Sequence, residues 1–145
     1  MPDDVATAAL KALATRLGAW PGLTGVTIER ERIAMVSDPP RIVIAAEAER
    51  IEEVFTGRAD LDIGVLVECF HTGSSEAGAR DAARALAAQV QAAILSDRTL
   101  GGAADDVEPG EISVDLAGGD PCEARADMML TIVTASIWDD PFTRA

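Results

Sequence analysis

The chain has 145 residues, of which 48% are hydrophobic and 26% charged, and its formal net charge is −13. A chain of this length is expected to form one domain, residues 1–145, with a core of its own. So negative a surface repels nucleic-acid phosphates and anionic lipid, which argues against duplex binding and against attachment to a membrane.

The protein is predicted to fold in a cytoplasm, and its residue usage, rich in alanine and arginine with Lys11 as the one lysine, indicates a GC-rich bacterial or phage genome. Met1-Pro2-Asp3-Asp4 is acidic and lacks the basic start of a secretory signal. The sequence has no apolar run that approaches the length of a membrane span. Its two cysteines, Cys69 and Cys122, fit neither a disulfide scaffold nor a zinc pattern.

The first third of the chain predicts a helix followed by two strands. Residues 3–17 carry leucines at helical spacing, and Asp3 or Asp4 can cap the first turn. Thr24–Arg32 and Arg41–Glu47 alternate apolar and polar residues, as strands do. The turn residues 37–40 separate them, so the pair is interpreted as a hairpin.

The middle of the chain contains the strongest strand pattern. The charged stretch Glu47–Arg58 predicts a short helical turn around Ile51, Val54 and Phe55. Leu61–His71 then alternates over eleven positions and predicts a third strand. A second helix is predicted from a cap at Ser74 or Ser75 to about Leu95, because alanine, leucine and valine form one apolar stripe.

The last third predicts a loop, two strands and a tail. The loop is Asp97–Pro109, the strands are Glu111–Leu116 and Ala126–Ile137, and the tail is Trp138–Phe142. Short connections between neighbouring strands favour antiparallel pairing. The sequence therefore predicts an α+β domain, with a mostly antiparallel sheet and two helices on one of its faces.

The residues that could carry chemistry do not combine into a recognisable active site. Cys69 and His71 could begin a metal site, but no third ligand follows at a suitable spacing, and Cys69 belongs to the apolar series of its strand. The paired glycines at 101–102 and 118–119 match no phosphate-binding motif. We therefore predict no catalytic residue, no cofactor and no specific metal ligand, although the acidic cluster between residues 105 and 115 could bind Mg²⁺ or Ca²⁺ weakly.

Two segments are instead predicted to contact partners. The loop after the second helix is long and carries an arginine and an apolar leucine, and the terminal tail carries two aromatic residues. In a second interpretation, Leu100 and Trp138 simply cover the edge of the sheet. The residues predicted to contact a partner or a neighbouring subunit are Arg98, Thr99, Leu100, Trp138, Asp140 and Phe142.

Three stretches resemble the tail-terminator class of minor tail proteins, which occur in phages, prophages and gene transfer agents. They are Leu61–His71 with the alanine-rich helix after it, the run Ala93–Gly102, and the ending Trp138-Asp139-Asp140-Pro141-Phe142. The order of elements matches over nearly the whole chain, whereas the match in motifs is confined to Asp97–Gly102 and the terminus.

The resemblance implies a structural protein of the virion and not an enzyme. Such proteins form a ring, commonly of six subunits, at the head-proximal end of the tail tube, where the ring ends tube polymerisation. The partners it implies are further copies of the chain, the major tail tube protein and the head–tail connector, with DNA only passing through the lumen. An acidic lumen would let DNA pass without binding it, and Asp105, Asp106 and Glu108 are candidates to line it.

Two other classes remain open at the level of sequence. A different head–tail connector or neck protein would also form a ring. A small acidic ligand-binding or enzyme domain would instead require a concave pocket with convergent polar groups.

Overall fold

The computed structural model describes residues 2–30, 38–53, 57–119 and 121–145. Over these residues the chain forms one six-stranded sheet with two helices, which confirms the predicted α+β class. The helices are α1 (Val5–Ala19) and α2 (Glu76–Ser96), and short 3-10 turns cover Pro21–Leu23 and Leu100–Gly102. The strands are β1 (Thr27–Arg30), β2 (Arg41–Glu53), β3 (Arg58–Gly73), β4 (Asp106–Gly118), β5 (Cys122–Ile137) and β6 (Asp140–Arg144).

The strands lie in the order β1-β2-β3-β5-β4, and β6 pairs with the end of β5. Every pairing is antiparallel except that of β1 with β2. The helices pack on one face of this sheet, where the side chains that alternate inward from β3 and β5 form the core with both helices. The opposite face of the sheet has no helix over it among the described residues.

The predicted hairpin of the first two strands is wrong, because β1 and β2 run in the same direction, with Ile28 beside Ile42. Residues 31–40 connect the two strands, a span longer than the roughly two to five residues of a tight hairpin turn. The longer connection returns the chain to the start of β2. The predicted end of the first strand and Ser37 of the predicted turn lie outside the described residues.

The predicted helical turn around Ile51 is also wrong, because β2 continues as a strand to Glu53 and pairs with β3 there. A bulge between Ala46 and Ala48 shifts the alternation by one residue, so the apolar pattern appears broken. Backbone hydrogen bonds to β3 hold the strand without needing an apolar side chain at every second position. Val54 and Phe55 lie outside the described residues.

The end of the chain is likewise more ordered than predicted. The residues assigned to a tail contain the beginning of β6, which pairs with β5 at Ser136 and Ile137. The predicted loop Asp97–Pro109 is shorter, because β4 begins at Asp106 and a bulge between Pro109 and Ile112 hides its first residues from the alternation.

The connection from β3 to α2 brings the end of the strand against the backbone of the helix. A Cβ atom on Gly73 would lie 2.4 Å from the amide nitrogen of Ala79, so only glycine fits where the strand turns into the helix. The Ser75 hydroxyl then caps α2 by accepting a hydrogen bond of 3.0 Å from the amide of Gly78. Asp4 caps α1 in the same way, accepting from the amide of Thr7 at 2.7 Å.

Candidate assembly surfaces

An apolar groove opens on the helix side of the sheet, beside the first turn of α1. It has a volume of about 440 Å³, and its exposed apolar walls are Ile51 of β2, Trp138 after β5 and Phe142 of β6. These three side chains are 58%, 48% and 48% exposed. Large apolar side chains that converge on one open groove are typical of a surface that contacts a partner.

The rim of the groove is acidic. Asp4, Glu49 and Asp139 line it, and no lysine or arginine does so among the described residues. A partner that fills the groove must therefore offer apolar side chains together with a positive charge. The groove brings together Trp138 and Phe142, two of the residues that the sequence predicted to contact a partner.

The sequence did not predict Glu49 and Ile51 as part of this surface. Their segment was interpreted as a helical turn, although both residues lie on the helix-side face of β2, opposite Ile63 and Leu61 of β3. An alternation that restarts after one skipped residue is the signal of a bulged strand. Residues 47–53 offer no such signal, because Ala48 and Ile51 are their only apolar residues and lie on opposite faces of the strand.

The C-terminal strand beside the groove is held by Arg144. Its guanidinium donates to the Thr134 hydroxyl at 2.6 Å, to the Asp105 carboxylate at 2.7 Å and to the carbonyl of Gly102 at 3.0 Å. Asp140 accepts hydrogen bonds from the hydroxyl of Thr143 and the amide of Phe142, and these bonds, that of Thr143 first, lower the pKa of its carboxyl. Asp140 therefore shapes the turn that presents Phe142.

The predicted contact loop is held together by its own carboxylate. Asp97 accepts hydrogen bonds from the Thr99 hydroxyl at 2.7 Å and from the amide of Gly101 at 2.9 Å. These hydrogen bonds, with that of the Thr99 side chain first, lower the pKa of Asp97. The loop is thus locally ordered, and Thr99 is one of its structural members.

Arg98 and Leu100 both make contacts within the chain. Arg98 forms a bidentate ion pair with Asp106, with distances of 2.7 and 2.9 Å. Leu100 is only 5% exposed and belongs to the core, despite a φ of 52°. Of the two sequence interpretations of Leu100, its placement favours the covering role, because a buried side chain offers little surface to a partner. Whether the loop contacts a partner through Arg98 stays a prediction.

The three acidic residues proposed for a lumen differ in their surroundings. Asp105 contacts Arg144 at 2.7 Å and Arg58 at 3.4 Å, and Asp106 is held by Arg98. Glu108 is exposed on β4. Two of the three carboxylates therefore already have arginine partners, and their position relative to a lumen stays a prediction.

The sheet presents two different strand edges. β1 pairs only with the first part of β2, from Arg41 to Ile44, so residues 45–53 have no strand on that side among the described residues. At the opposite end of the sheet, β4 pairs with β5 and has no second partner among the described strands. An unpaired strand edge offers a row of backbone donors and acceptors to another chain.

A cluster of charges lies on the face of the sheet away from the helices. Arg125 contacts Asp127 at 2.9 Å, Glu68 at 3.6 Å and Asp115 at 3.7 Å. Burial raises the pKa of Asp127, and the nearby Glu68 and Asp115 add to the rise, while Arg125 opposes it. The single arginine thus holds three carboxylates together on this face.

The cysteine and histidine of β3 have structural surroundings. Cys69 is fully buried in the core, as its position in the apolar series predicted, and burial raises the pKa of its thiol to about 12. His71 accepts a hydrogen bond of 2.8 Å from the amide of Thr72 through Nδ1. Within the described residues, no group of three histidines, cysteines or carboxylates is arranged to hold a metal ion.

No helix in the described part of the chain is long and apolar enough to cross a membrane.

Comparison with known proteins identifies no family. No family model matches the chain, and no curated protein matches it either. Among solved structures, the fold is similar to a chain in the virion of a native gene transfer agent particle, with 11% identity over 90% of each chain and a TM-score of 0.40. A likeness at this identity and score shows no function for this chain.

Proposed function

We propose that this protein is a structural subunit of a phage-like or gene transfer agent virion, of the tail-terminator class. In this proposal, copies of the chain form a ring, of six subunits, at the head-proximal end of the tail tube. The ring ends tube polymerisation and presents a surface to the head–tail connector. DNA passes through it, and the role requires no catalytic residue.

The observation that supports the proposal best is the pair of different strand edges at opposite ends of one sheet. A closed ring needs a heterologous contact, in which one surface of a subunit meets a different surface of the next. The free part of β2 and the edge of β4 are two such surfaces. The sequence resemblance in Leu61–His71 and Asp97–Gly102 supports the choice of tail terminator among ring-forming proteins.

The charges on these edges fit a subunit that associates only weakly with its own copies until it reaches the tail. The free part of β2 carries Glu47, Glu49, Glu52 and Glu53, and β4 carries Asp106, Glu108, Glu111 and Asp115. Charged residues on edge strands oppose unwanted pairing. Salt screens such repulsion, with a Debye length of about 10 Å at 0.1 M. We therefore expect self-association to strengthen with salt or Mg²⁺.

Electron microscopy of tail tubes polymerised with and without the protein tests the role directly. We expect rings at one end of each tube and tubes of uniform length when the protein is present. Free monomers beside tubes of unaltered length would contradict a terminator. Parallel reconstitution with purified heads distinguishes a neck protein, which would bind heads and leave tubes unchanged.

Sedimentation velocity across a salt series, with and without duplex DNA, tests the charge argument. The expected result is stronger self-association at higher salt and negligible DNA binding throughout. Phosphate binding would show the opposite trend and weaken steeply as salt rises. Tight DNA binding at low salt would overturn the idea that DNA is only passing cargo.

A further inference from the structure

We propose that the groove of Ile51, Trp138 and Phe142 receives the outer face of α2 from a second copy of this chain. The proposal rests on the proposed function, since it identifies one contact by which neighbouring subunits of the ring recognise each other. The occupant is the solvent-exposed face of this helix, with Leu95 as its apolar anchor, since the opposite face of α2 is buried in the core of its own subunit.

The outer face of α2 has the chemistry that the groove requires. Arg84, Ala88 and Leu95 follow each other at spacings of four and seven residues, so they lie on one stripe of the helix. Leu95 is 50% exposed, although it is a large apolar residue. Arg80 and Arg84 are exposed and form no ion pair with any described residue. The stripe thus combines an apolar anchor with positive charge, complementary to the acidic rim.

The dimensions of the two surfaces agree. The groove reaches from Glu49 and Ile51 on β2, across β3 and β5, to Phe142 on β6. Three strand spacings cover about 14 Å. Along α2, Arg84 and Leu95 are about 16 Å apart at the helical rise per residue. Leu95 can therefore lie against Trp138 and Phe142 while Arg84 reaches Glu49.

The position of α2 in the fold makes this contact compatible with pairing of the strand edges. α2 packs over β3, β5 and β4, so it lies toward the β4 end of the sheet. The groove opens on the same face, beside the free part of β2. Bringing β4 of one copy alongside β2 of the next moves α2 of the first copy toward the groove of the second.

This contact also supplies attraction where the strand edges repel each other. Both edges are acidic, and the whole chain carries a net charge of −13. Arg84 against Glu49 is a pair of opposite charges at the boundary between copies. Such pairs set which surfaces meet as well as how tightly they bind.

A charge exchange tests the proposal against simple repulsion between acidic subunits. Glu49→Arg changes the net charge from −13 to −13 + 2 = −11, which would strengthen association if net charge alone mattered. We expect instead about tenfold weaker self-association in sedimentation velocity, because Arg84 then faces a like charge. Arg84→Glu is expected to weaken it similarly, and the double variant Glu49→Arg with Arg84→Glu is expected to restore it.

Glu52→Arg is the matched control, because it makes the same change of net charge on the other face of the same strand. Equal behaviour of the Glu49 and Glu52 variants would overturn the proposal. So would failure of the double variant to recover while the circular dichroism of all variants matches the parent protein. Leu95→Ala and Trp138→Ala are each expected to weaken association about tenfold, as buried anchors at interfaces do.

Disulfide trapping gives a second readout that does not depend on a stable ring. In a Cys122→Ser background, protein with Glu49→Cys is mixed with protein with Arg84→Cys under mild oxidation at high concentration. We expect the mixed dimer to exceed either symmetric dimer. Its absence overturns the groove contact even where electron microscopy shows rings on tails. Its presence, with tube lengths unaltered, would leave the contact in place and overturn the terminator role.

Discussion

The first half of β2 is buried and the second half is exposed, although both halves pair with β3. Ile42 and Ile44, on the helix-covered face, are at most 2% exposed, whereas residues 46–53 are exposed throughout. The first half has β1 on its free side and the helix layer over one face. A backbone partner is thus enough to form a strand, whereas burial also needs a covering layer. The exposed half is the one that borders the groove.

The largest expected difference in unfolding free energy is between a substitution in the buried core and one in the exposed half of β2. Ile63→Ala should cost about 2–5 kcal/mol of unfolding free energy, because it leaves a cavity in the core. Ile51→Ala makes the same change on the neighbouring strand and should cost less than about 0.5 kcal/mol. Ile63 is 1% exposed and Ile51 is 58% exposed. Urea denaturation of both variants measures the difference, and similar losses would mean that Ile51 is covered in the monomer.

A smaller effect on the free energy of unfolding is expected at two glycines, one at the end of β3 and one in the last turn of α1. Gly73→Ala should destabilise the protein by about 1–3 kcal/mol, because the new Cβ meets the backbone of α2. Gly18→Ala should stabilise it by up to about 1 kcal/mol, because Gly18 lies within α1 and a Cβ there meets nothing within 4 Å. Thermal unfolding gives both values. A harmless Gly73→Ala would show that the junction of β3 and α2 can relax.

The core could be predicted from the sequence, whereas the groove could not. The alternation of β3 and the alanine stripe of α2 predicted the helix-covered face, because each pattern is continuous over its whole element. The bulges in β2 and β4 interrupt that pattern, so the ends of both strands were interpreted as loop or helical turn. Sequence spacing carries no information on which separate segments meet, and the groove gathers residues from four strands and α1.

The direction of β1 and the burial of Leu100 were missed for a related reason. A connection of ten residues can join two strands in either direction, and composition alone does not distinguish parallel from antiparallel pairing. Leu100 is flanked by a polar residue and two glycines, a context typical of an exposed loop. Asp97 folds that loop back so that the leucine enters the core.

The smallest effect is expected in the loop 97–102. Hydrogen bonds within this loop hold its conformation, whereas the groove is open to solvent. Hydrogen bonds from Thr99 and Gly101 to the Asp97 carboxylate lower its pKa in the folded state. A lowered pKa means that the charged form stabilises the fold above the pKa of the unfolded chain, and that this contribution is lost as pH falls through the folded pKa. Asp97→Asn should therefore lower the urea midpoint at pH 7 and have a much smaller effect in acid, below the folded pKa. Asp81→Asn removes the same charge from the surface of α2 and controls for net charge. A deficit for Asp97→Asn that is the same at both pH values would mean that the amide disturbs the loop sterically and that the charge of Asp97 contributes nothing.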